Sequence, residues 1–228
     1  GEALADDIWW PLVERMATPG EYQPDAASVG RRSLRYRALE YLAAARPEQT
    51  GLYLARSFEQ ADNLTDRQGA LRLLLNFELH GRDEAVAAFY RQWGDEPLAL
   101  DQWFALQAAV PGHAGVESVA KLLEHPDFDW RLPNRVRAVL GTFAHANPVA
   151  FHRPDGAGYG LFCRSLARLD ELNPQVAART AGALACLPRL EAGRRRCLRE
   201  EIDGLRQQGG SGNLAEVLNR ILEGETGA

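Results

Sequence analysis

Apolar residues recur at helical spacing along almost the whole 228-residue chain. Two stripes illustrate the spacing: Leu71, Leu74, Leu75 and Leu79, and then Val136, Val139, Leu140 and Phe143. Each stripe places one apolar face on a helix. Long alternating runs of β-branched residues, which strands would need, do not occur, and isoleucine occurs only three times. The sequence therefore predicts an all-α fold.

Capping residues mark where helices begin. Asn147-Pro148 and Asn173-Pro174 each combine an N-cap side chain with proline at the first helical position. Thr65–Gln68 has the form of a capping box with Thr65 as the N-cap. Pro11 is expected to interrupt the first helix. Helices are predicted at about 3–17, 29–45, 48–60, 66–79, 82–93, 97–109, 115–124, 134–145, 159–171, 174–187, 191–207 and 213–223.

The predicted helices are joined by short turns, which is typical of stacked antiparallel pairs. Residues 153–160 contain three glycines and a proline and form the only long predicted loop. No interior linker and no repeat of fixed period is evident. We therefore expect one domain over residues 1–228, a superhelical, α-solenoid-like array of about twelve helices.

Composition narrows the possible partners. The chain carries 31 acidic and 26 basic residues, a formal net charge of −5, which argues against nucleic acid as the main partner. The densest basic cluster, Arg194–Arg196 with Arg199, alternates with glutamates and is interpreted as a solvated, ion-paired face. No apolar run approaches the roughly 20 residues of a membrane span, and no signal peptide is recognisable. A cytoplasmic protein with no membrane partner is expected.

Residues suited to metal binding or covalent catalysis do not form a known motif. None of the histidines belongs to an HExxH pair, and no GxSxG elbow occurs. The three cysteines lack CxxC spacing and lack a neighbouring histidine, so buried reduced thiols are expected. The glycines of residues 155–160 follow no strand, which excludes a dinucleotide loop. We expect no catalytic residue, metal or cofactor in this chain. The histidines are His80, His113, His125, His145 and His152.

Two polar stripes lie near proline-started helices. The first contains Gln175, Arg179 and Gly182, and the second contains Asn134, Arg137 and Gly141. A cation near the amino-terminal end of a helix opposes the helix dipole, so each arginine requires an anion nearby. An internal salt bridge and a bound anionic partner remain equally open on this evidence.

Several segments, in order, carry a family resemblance. They are ADNLTDRQGAL, FYRQWGDEPLALDQWFALQA, LPNRVRAVLGTFAHANPVAFHRPDGAGYGLF and LNPQVAAR. Together they resemble the carboxy-terminal domain of bacterial aminopeptidase N, a family of zinc-dependent alanyl aminopeptidases of the HExxH class. The resemblance runs over about residues 30–224 and implies a superhelical helix array that caps the zinc-bearing catalytic domain of the same polypeptide.

The resemblance also implies where peptides are bound. In the family this domain encloses the cavity through which peptide substrates reach the zinc. The cavity-lining positions correspond to Arg137 in PNRVRAV and to Gln175 and Arg179 in NPQVAAR, with Asn134 as a further candidate. The zinc ligands, general base, amine-binding glutamate and oxyanion-stabilising tyrosine belong to an upstream domain. The chain is therefore expected to be inactive alone, as a fragment of a longer multidomain peptidase.

Two other functions remain open. The chain could be a stand-alone α-solenoid scaffold whose surface binds protein partners. A nucleic-acid module would depend only on Arg194–Arg199 and is poorly supported. An HExxH domain encoded upstream would favour the peptidase interpretation over both alternatives.

Overall fold

The computed structural model describes residues 4–18, 20, 22–112 and 114–226, and these residues form helices and turns without a β-strand. The all-α prediction is confirmed. The α-helices are α1 (Trp10–Arg15), α2 (Ala26–Ala45), α3 (Pro47–Gln60), α4 (Leu64–Asn76), α5 (Arg82–Trp93), α6 (Pro97–Ala108), α7 (Gly115–Leu123), α8 (Pro133–Val136), α9 (Thr142–Ala146), α10 (Pro148–Phe151), α11 (Ala157–Leu172), α12 (Pro174–Ala181), α13 (Ala192–Gln207) and α14 (Gly212–Thr226). Two segments are π-helical, Ala5–Trp9 and Arg137–Gly141, and Gly182–Arg189 is a 3₁₀-helix.

Most predicted helices lie within a few residues of the observed ones, and the differences have local causes. The first predicted helix is interrupted close to Pro11, because the π-helical segment Ala5–Trp9 ends and α1 begins at Trp10. The predicted Thr65 capping box is wrong, because the Asn63 side chain caps α4 by accepting a 2.9 Å hydrogen bond from the Asp66 amide. Asn147 and Asn173 cap α10 and α12 as predicted, accepting from Ala150 and Val176.

The predicted loop over residues 153–160 is only half correct, because α11 begins at Ala157. Gly156 adopts φ 74°, a left-handed conformation that favours glycine, and the Asp155 carboxylate accepts a hydrogen bond from the Ala157 amide. A Cβ at Gly158 would lie 2.4 Å from the Phe151 carbonyl oxygen and 2.5 Å from that of Ala150. The glycines therefore allow α11 to start against the end of α10.

The chain divides into two compact units, Gly1–Leu106 and Gln107–Ala228. In the first unit, α2, α3 and α4 pack on one another, α1 packs on α2, and α5 packs on α3 and α4. Its core is mainly leucine and phenylalanine, with Leu42, Leu54 and Phe89 fully buried. The single-domain assignment over 1–228 stays a prediction.

The second unit is arranged around α11, which packs against α7, α10, α12 and α13, while α14 packs on α12. Phe151 occupies the middle of its aromatic core. Its ring meets Phe143, Tyr159 and Phe162 edge-to-face, with centroids 5.3–5.5 Å apart. Asn147 ties this core to the chain before α7, because its amide nitrogen donates to the carbonyls of Ala108 and Val110.

The contact of Gly158 with the end of α10 predicts a specific cost. Gly158→Ala should lower the free energy of unfolding by about 2–3 kcal/mol, because backbone atoms cannot move aside as a flexible side chain can. Urea unfolding followed by circular dichroism measures the change.

Gly204→Ala on α13 is the matched control, because a Cβ there meets no atom within 4 Å. It should stabilise the chain by about 0.5–1 kcal/mol through helix propensity. Equal responses of the two variants would contradict a packing role for Gly158.

Candidate functional site

The stripe containing Asn134 and Arg137 lies where α8 continues into the π-helical segment Arg137–Gly141. Both side chains are exposed, and the Arg137 Nη2 donates a 3.0 Å hydrogen bond to the Asn134 Oδ1. A Cβ on Gly141 would lie 3.2 Å from the Arg137 Cγ, so the arginine side chain runs close over this glycine. A π-helical turn inside a helix is often found at a functional site.

The stripe containing Gln175 and Arg179 lies on α12, and both side chains are exposed. Gly182 is also exposed, and a Cβ there would meet nothing within 4 Å. Because α12 ends at Ala181, Arg179 lies in the last helical turn rather than near the amino terminus. The dipole argument for an anion at Arg179 is therefore wrong, since a cation is favoured at that end.

The two stripes belong to neighbouring elements, because α12 packs against the π-helical segment. Within the described part of the chain, neither Arg137 nor Arg179 forms an ion pair with a carboxylate. Among the described residues, the internal salt bridge that the sequence left open is thus not formed at either position. The result is two exposed cations and two exposed amides, Asn134 and Gln175, on adjacent helical segments.

Arg135 was missed in the sequence analysis. It is 4% exposed, and its Nη1 donates a short hydrogen bond to the backbone carbonyl of Asp127. This contact joins α8 to the preceding turn, in which Phe128 and Trp130 pack edge-to-face. The sequence analysis singled out Arg137 by its helical spacing from Asn134 and Gly141, and Arg135 has no comparable polar spacing that would have predicted its structural role.

A second polar cluster surrounds His152, after α10. The His152 Nδ1 lies 2.8 Å from the Tyr159 hydroxyl, and the Arg194 Nε donates to the His152 carbonyl at 2.6 Å. Burial, followed by the nearby Arg194 charge, lowers the pKa of His152 below its usual value of 6.5. Burial also raises the pKa of Tyr159. His152 is therefore neutral at pH 7.

The arginines near the start of α13 bind mainly to other groups of this chain. Arg195 donates from Nε and Nη2 to the carbonyls of Pro188 and Leu190, at the end of the 3₁₀-helix. Arg194 pairs with Glu191, whose pKa is lowered by hydrogen bonds from the amides at the start of α13. The Arg194 ion pair agrees with the predicted ion-paired face, whereas Arg195 is satisfied by backbone carbonyls instead of a glutamate.

The cysteines are free thiols. Cys163 is buried as expected, and burial raises its pKa to about 12. Cys186 and Cys197 are only partly buried, and burial raises the pKa of Cys186. A raised pKa disfavours the thiolate that nucleophilic catalysis needs.

The described residues contain neither a metal-binding cluster nor a membrane-spanning helix. There, no three histidine, cysteine, aspartate or glutamate side chains lie together as a metal site would require. His113 lies outside the described residues. No helix in the described part of the chain is long and apolar enough to cross a membrane.

The profile of one protein family, a domain of unknown function with ARM repeats (DUF3458_C), matches residues 1–223. The chain belongs to this family. ARM repeats are stacked helices that form superhelical arrays, which agrees with the predicted architecture.

Bacterial aminopeptidases are similar to this chain in sequence. Aminopeptidase N of Caulobacter vibrioides is 39% identical over 173 residues, which is 76% of this chain and 20% of the relative. Aminopeptidase N of Escherichia coli is 34% identical over 222 residues, 96% of this chain and 25% of the relative. The chain thus spans about a fifth to a quarter of these relatives.

A solved structure agrees with the sequence relatives. Aminopeptidase A of Legionella pneumophila, in complex with aspartic acid, has a TM-score of 0.89 and 28% identity. The match covers 97% of this chain and 27% of that protein. The predicted resemblance to the carboxy-terminal domain of aminopeptidase N is confirmed.

The low pKa of His152 predicts a pH dependence of stability. The unfolded chain takes up a proton near pH 6.5, whereas folded His152 resists protonation. The unfolded state therefore binds more protons, and the free energy of unfolding should fall as the pH drops from 7.5 to 5.5. Urea midpoints at the two pH values measure the loss.

His152→Gln is the control, because glutamine keeps a polar partner for Tyr159 but does not titrate. Its midpoint should change less over the same interval. The pKa values of three carboxylates are also lowered in the folded chain, and these groups are Glu117, Asp155 and Glu191. Their protonation changes the free energy of unfolding below about pH 4.5, which is outside this window. An unchanged pH dependence in His152→Gln would assign the effect to other groups.

Proposed function

We propose that this chain is the carboxy-terminal lid of a cytoplasmic zinc metallo-aminopeptidase, which hydrolyses amino-terminal residues from peptides. In this proposal the chain lines the peptide cavity and restricts access to it. Its partners are the catalytic domain of the same polypeptide and the peptide substrates. Support comes from the family membership and from relatives that are aminopeptidases several times longer than this chain.

The observation that carries the residue assignment is the pair of arginines without carboxylate partners. Arg137 and Arg179 are exposed on neighbouring elements, and neither is neutralised by the described part of the chain. A guanidinium matches the planar geometry of a carboxylate and can bind it through two parallel hydrogen bonds. The downstream carboxylate of a short peptide is an anion of this kind.

The exposed amides extend the proposed contact. Asn134 and Gln175 each offer one acceptor and two donors, which suits peptide backbone groups. The Asn134 oxygen is already occupied by Arg137, so it orients the guanidinium while its nitrogen remains a donor. In this role the four side chains hold the far end of a peptide and leave its amino-terminal bond to the catalytic domain.

In this proposal zinc is held by the upstream part of the parent protein. The described residues of this chain contain no group of three histidine, cysteine, aspartate or glutamate side chains that could hold a metal ion. The chain contributes binding and access, and it performs no step of water activation.

The assignment of catalysis to the upstream part of the parent protein can be tested by measuring activity. The 228-residue chain alone should not hydrolyse an alanine chromogenic amide, whereas activity should appear or increase when a separately expressed upstream portion of the parent is added. Release of the chromophore measures both. Activity of the isolated chain that follows its zinc content would contradict the proposal.

The arginines predict a dependence on the substrate carboxylate. In the full-length parent, Arg179→Gln should raise KM for a free tripeptide about 10-fold, the loss of roughly 1.4 kcal/mol from a charge-assisted hydrogen bond. It should leave KM for alanine p-nitroanilide, which has no carboxylate, nearly unchanged. Steady-state kinetics on both substrates provides the comparison.

Arg196→Gln, an exposed arginine on α13, is the matched control and should leave both substrates unaffected. Circular dichroism confirms that each variant is folded. Equal KM increases for the tripeptide and the anilide would show that Arg179 does not recognise the carboxylate. A stand-alone scaffold would instead be indicated if the parent gene encoded no upstream HExxH domain.

A further inference from the structure

The second compact unit contains an open groove of about 510 Å³ between α10 and the segment that leads into α13. Small-molecule sites have volumes of about 300–1,000 Å³. Every lining residue belongs to the unit Gln107–Ala228, and neither Arg137 nor Arg179 is among them. A ligand in this groove would therefore not depend on the proposed peptidase function.

Hydrogen bonds from α13 hold both walls of the groove. The Arg194 Nε donates to the His152 carbonyl at 2.6 Å, which fixes the end of α10. The Arg195 Nη2 donates to the Leu190 carbonyl at 2.8 Å, next to Arg189. Because both walls are tied to the same helix, the groove is formed before any ligand binds, which lowers the cost of binding.

Arg189 brings positive charge to the groove. Its side chain is exposed, and it forms neither a hydrogen bond nor an ion pair within the described part of the chain. Arg194 also lines the groove, together with one carboxylate, that of Glu191. The Glu191 carboxylate accepts hydrogen bonds from two amides of α13 at 2.7 Å and lies 3.4 Å from Arg194. The lining thus contains two guanidinium groups and one carboxylate, and that carboxylate is already bound.

Arg153 takes up two further carboxylates next to this part of the chain. Asp155 and Glu117 lie 2.8 and 3.0 Å from the Arg153 guanidinium. Neither of them lines the groove. The partner that the groove can offer Arg189 is therefore an anion from outside the chain.

His152 adds a neutral hydrogen-bond donor. Its Nδ1 is 2.8 Å from the hydroxyl of Tyr159, a fully buried residue for which the described residues provide no other hydrogen-bond partner. Since a buried hydroxyl normally donates its proton, Tyr159 donates to Nδ1, and the proton of the neutral ring is on Nε2.

The Nε2–H of His152 is accessible from the groove. Nε2 lies across the ring from the atom bound to Tyr159, and His152 is a half-buried lining residue. Within the described residues Nε2 has no partner, and it is not one of their buried unpartnered atoms. It is therefore a donor available to a ligand.

The rest of the groove is apolar. Pro148, Val149, Pro154 and Leu190 line it, and Val149 is 47% exposed. Proline rings lose little freedom when a ligand covers them, so their surface is available at low entropic cost. Burial of a small aliphatic group against this surface favours binding.

We propose that this groove binds a small apolar carboxylate, either a free acid or the carboxy-terminal residue of a peptide. The carboxylate accepts hydrogen bonds from the Arg189 guanidinium, whose planar fork matches it, and from the His152 Nε2–H. The aliphatic part of the ligand lies on Val149 and the neighbouring prolines.

Three probes test the proposal on the 228-residue chain: isocaproate, an acetylated glycyl-glycyl-leucine peptide and the carboxamide of that peptide. The ring carbon–proton signal of His152 in an NMR spectrum, identified by its loss in His152→Gln, should shift with saturation as an acid is added. We expect a dissociation constant of about 1–10 mM, as for a small ligand with few contacts. A response to one acid alone identifies the source of the carboxylate, and either response supports the site.

The carboxamide should bind about 10-fold more weakly than the peptide acid, because it cannot form the charge-assisted hydrogen bonds. Arg189→Gln should weaken the binding of the acids by a similar factor, about 10-fold. Val149→Glu should also weaken it, because a negative charge would stand on the exposed apolar wall. Arg196→Gln, which removes an exposed arginine of α13 outside the groove, is the matched control and should bind as the native chain does.

Several outcomes would overturn the proposal. One is the absence of a His152 shift with either acid at about 50 mM, well above the expected dissociation constant. Equal affinities of the peptide acid and its carboxamide, or of the native chain and Arg189→Gln, would do the same. A response lost in Arg179→Gln but kept in Arg189→Gln would assign the carboxylate to the proposed peptide contact instead, so the two proposals fail separately.

Discussion

The close approach of α11 to α10 governs the packing of the second unit. Gly158 lies directly against the Phe151 carbonyl, and this closeness brings Tyr159 and Phe162 onto the Phe151 ring. The same approach sets the His152 ring beside the Tyr159 hydroxyl. A larger residue at position 158 would move α11 away and loosen the aromatic core and the polar contacts together, because close-packed interiors tolerate little added volume.

Arginine is used in three ways in this chain. Arg195 and Arg135 act within the structure by donating to backbone carbonyls, which needs no carboxylate. Arg32 is buried beside the Asp66 carboxylate, with 3.6 Å between Nε and Oδ2, whereas Arg137 and Arg179 are exposed and have no ionic partner in the described part of the chain. The first two uses stabilise the fold, whereas the third leaves positive charge available to an anion. The acidic net charge of the whole chain conceals this local pattern.

Much of the fold was predictable because its helices carry strong local signals. Apolar spacing and Asn-Pro caps located the helices, since both act within one or two turns. The π-helical segment at Arg137 and the early start of α11 were missed, because they depend on contacts with other helices. The Thr65 cap failed since Asn63, two residues earlier, offers a competing acceptor.

The candidate site residues were also predictable only in part. Arg137 and Arg179 were found from helix geometry and a family resemblance, and their exposure and lack of ion pairs were visible only in three dimensions. The buried ion pair of Arg32 with Asp66 gave no signal in the sequence. Its two residues come from different helices, α2 and α4, and local spacing does not bring them together.

The π-helical turn at Arg137–Gly141 also constrains how this segment can change in length. The Thr142 amide donates to the Arg137 carbonyl five residues earlier, so the turn holds one residue more than an α-helical turn would. Deleting one residue here could restore regular α-helix. Four α-helical residues span about 400°, close to the angle that the five residues of the π-helical turn span, so Asn134 and Phe143 would keep nearly the same relative orientation. A single-residue deletion would therefore remove the widened turn without turning the polar stripe away from α12.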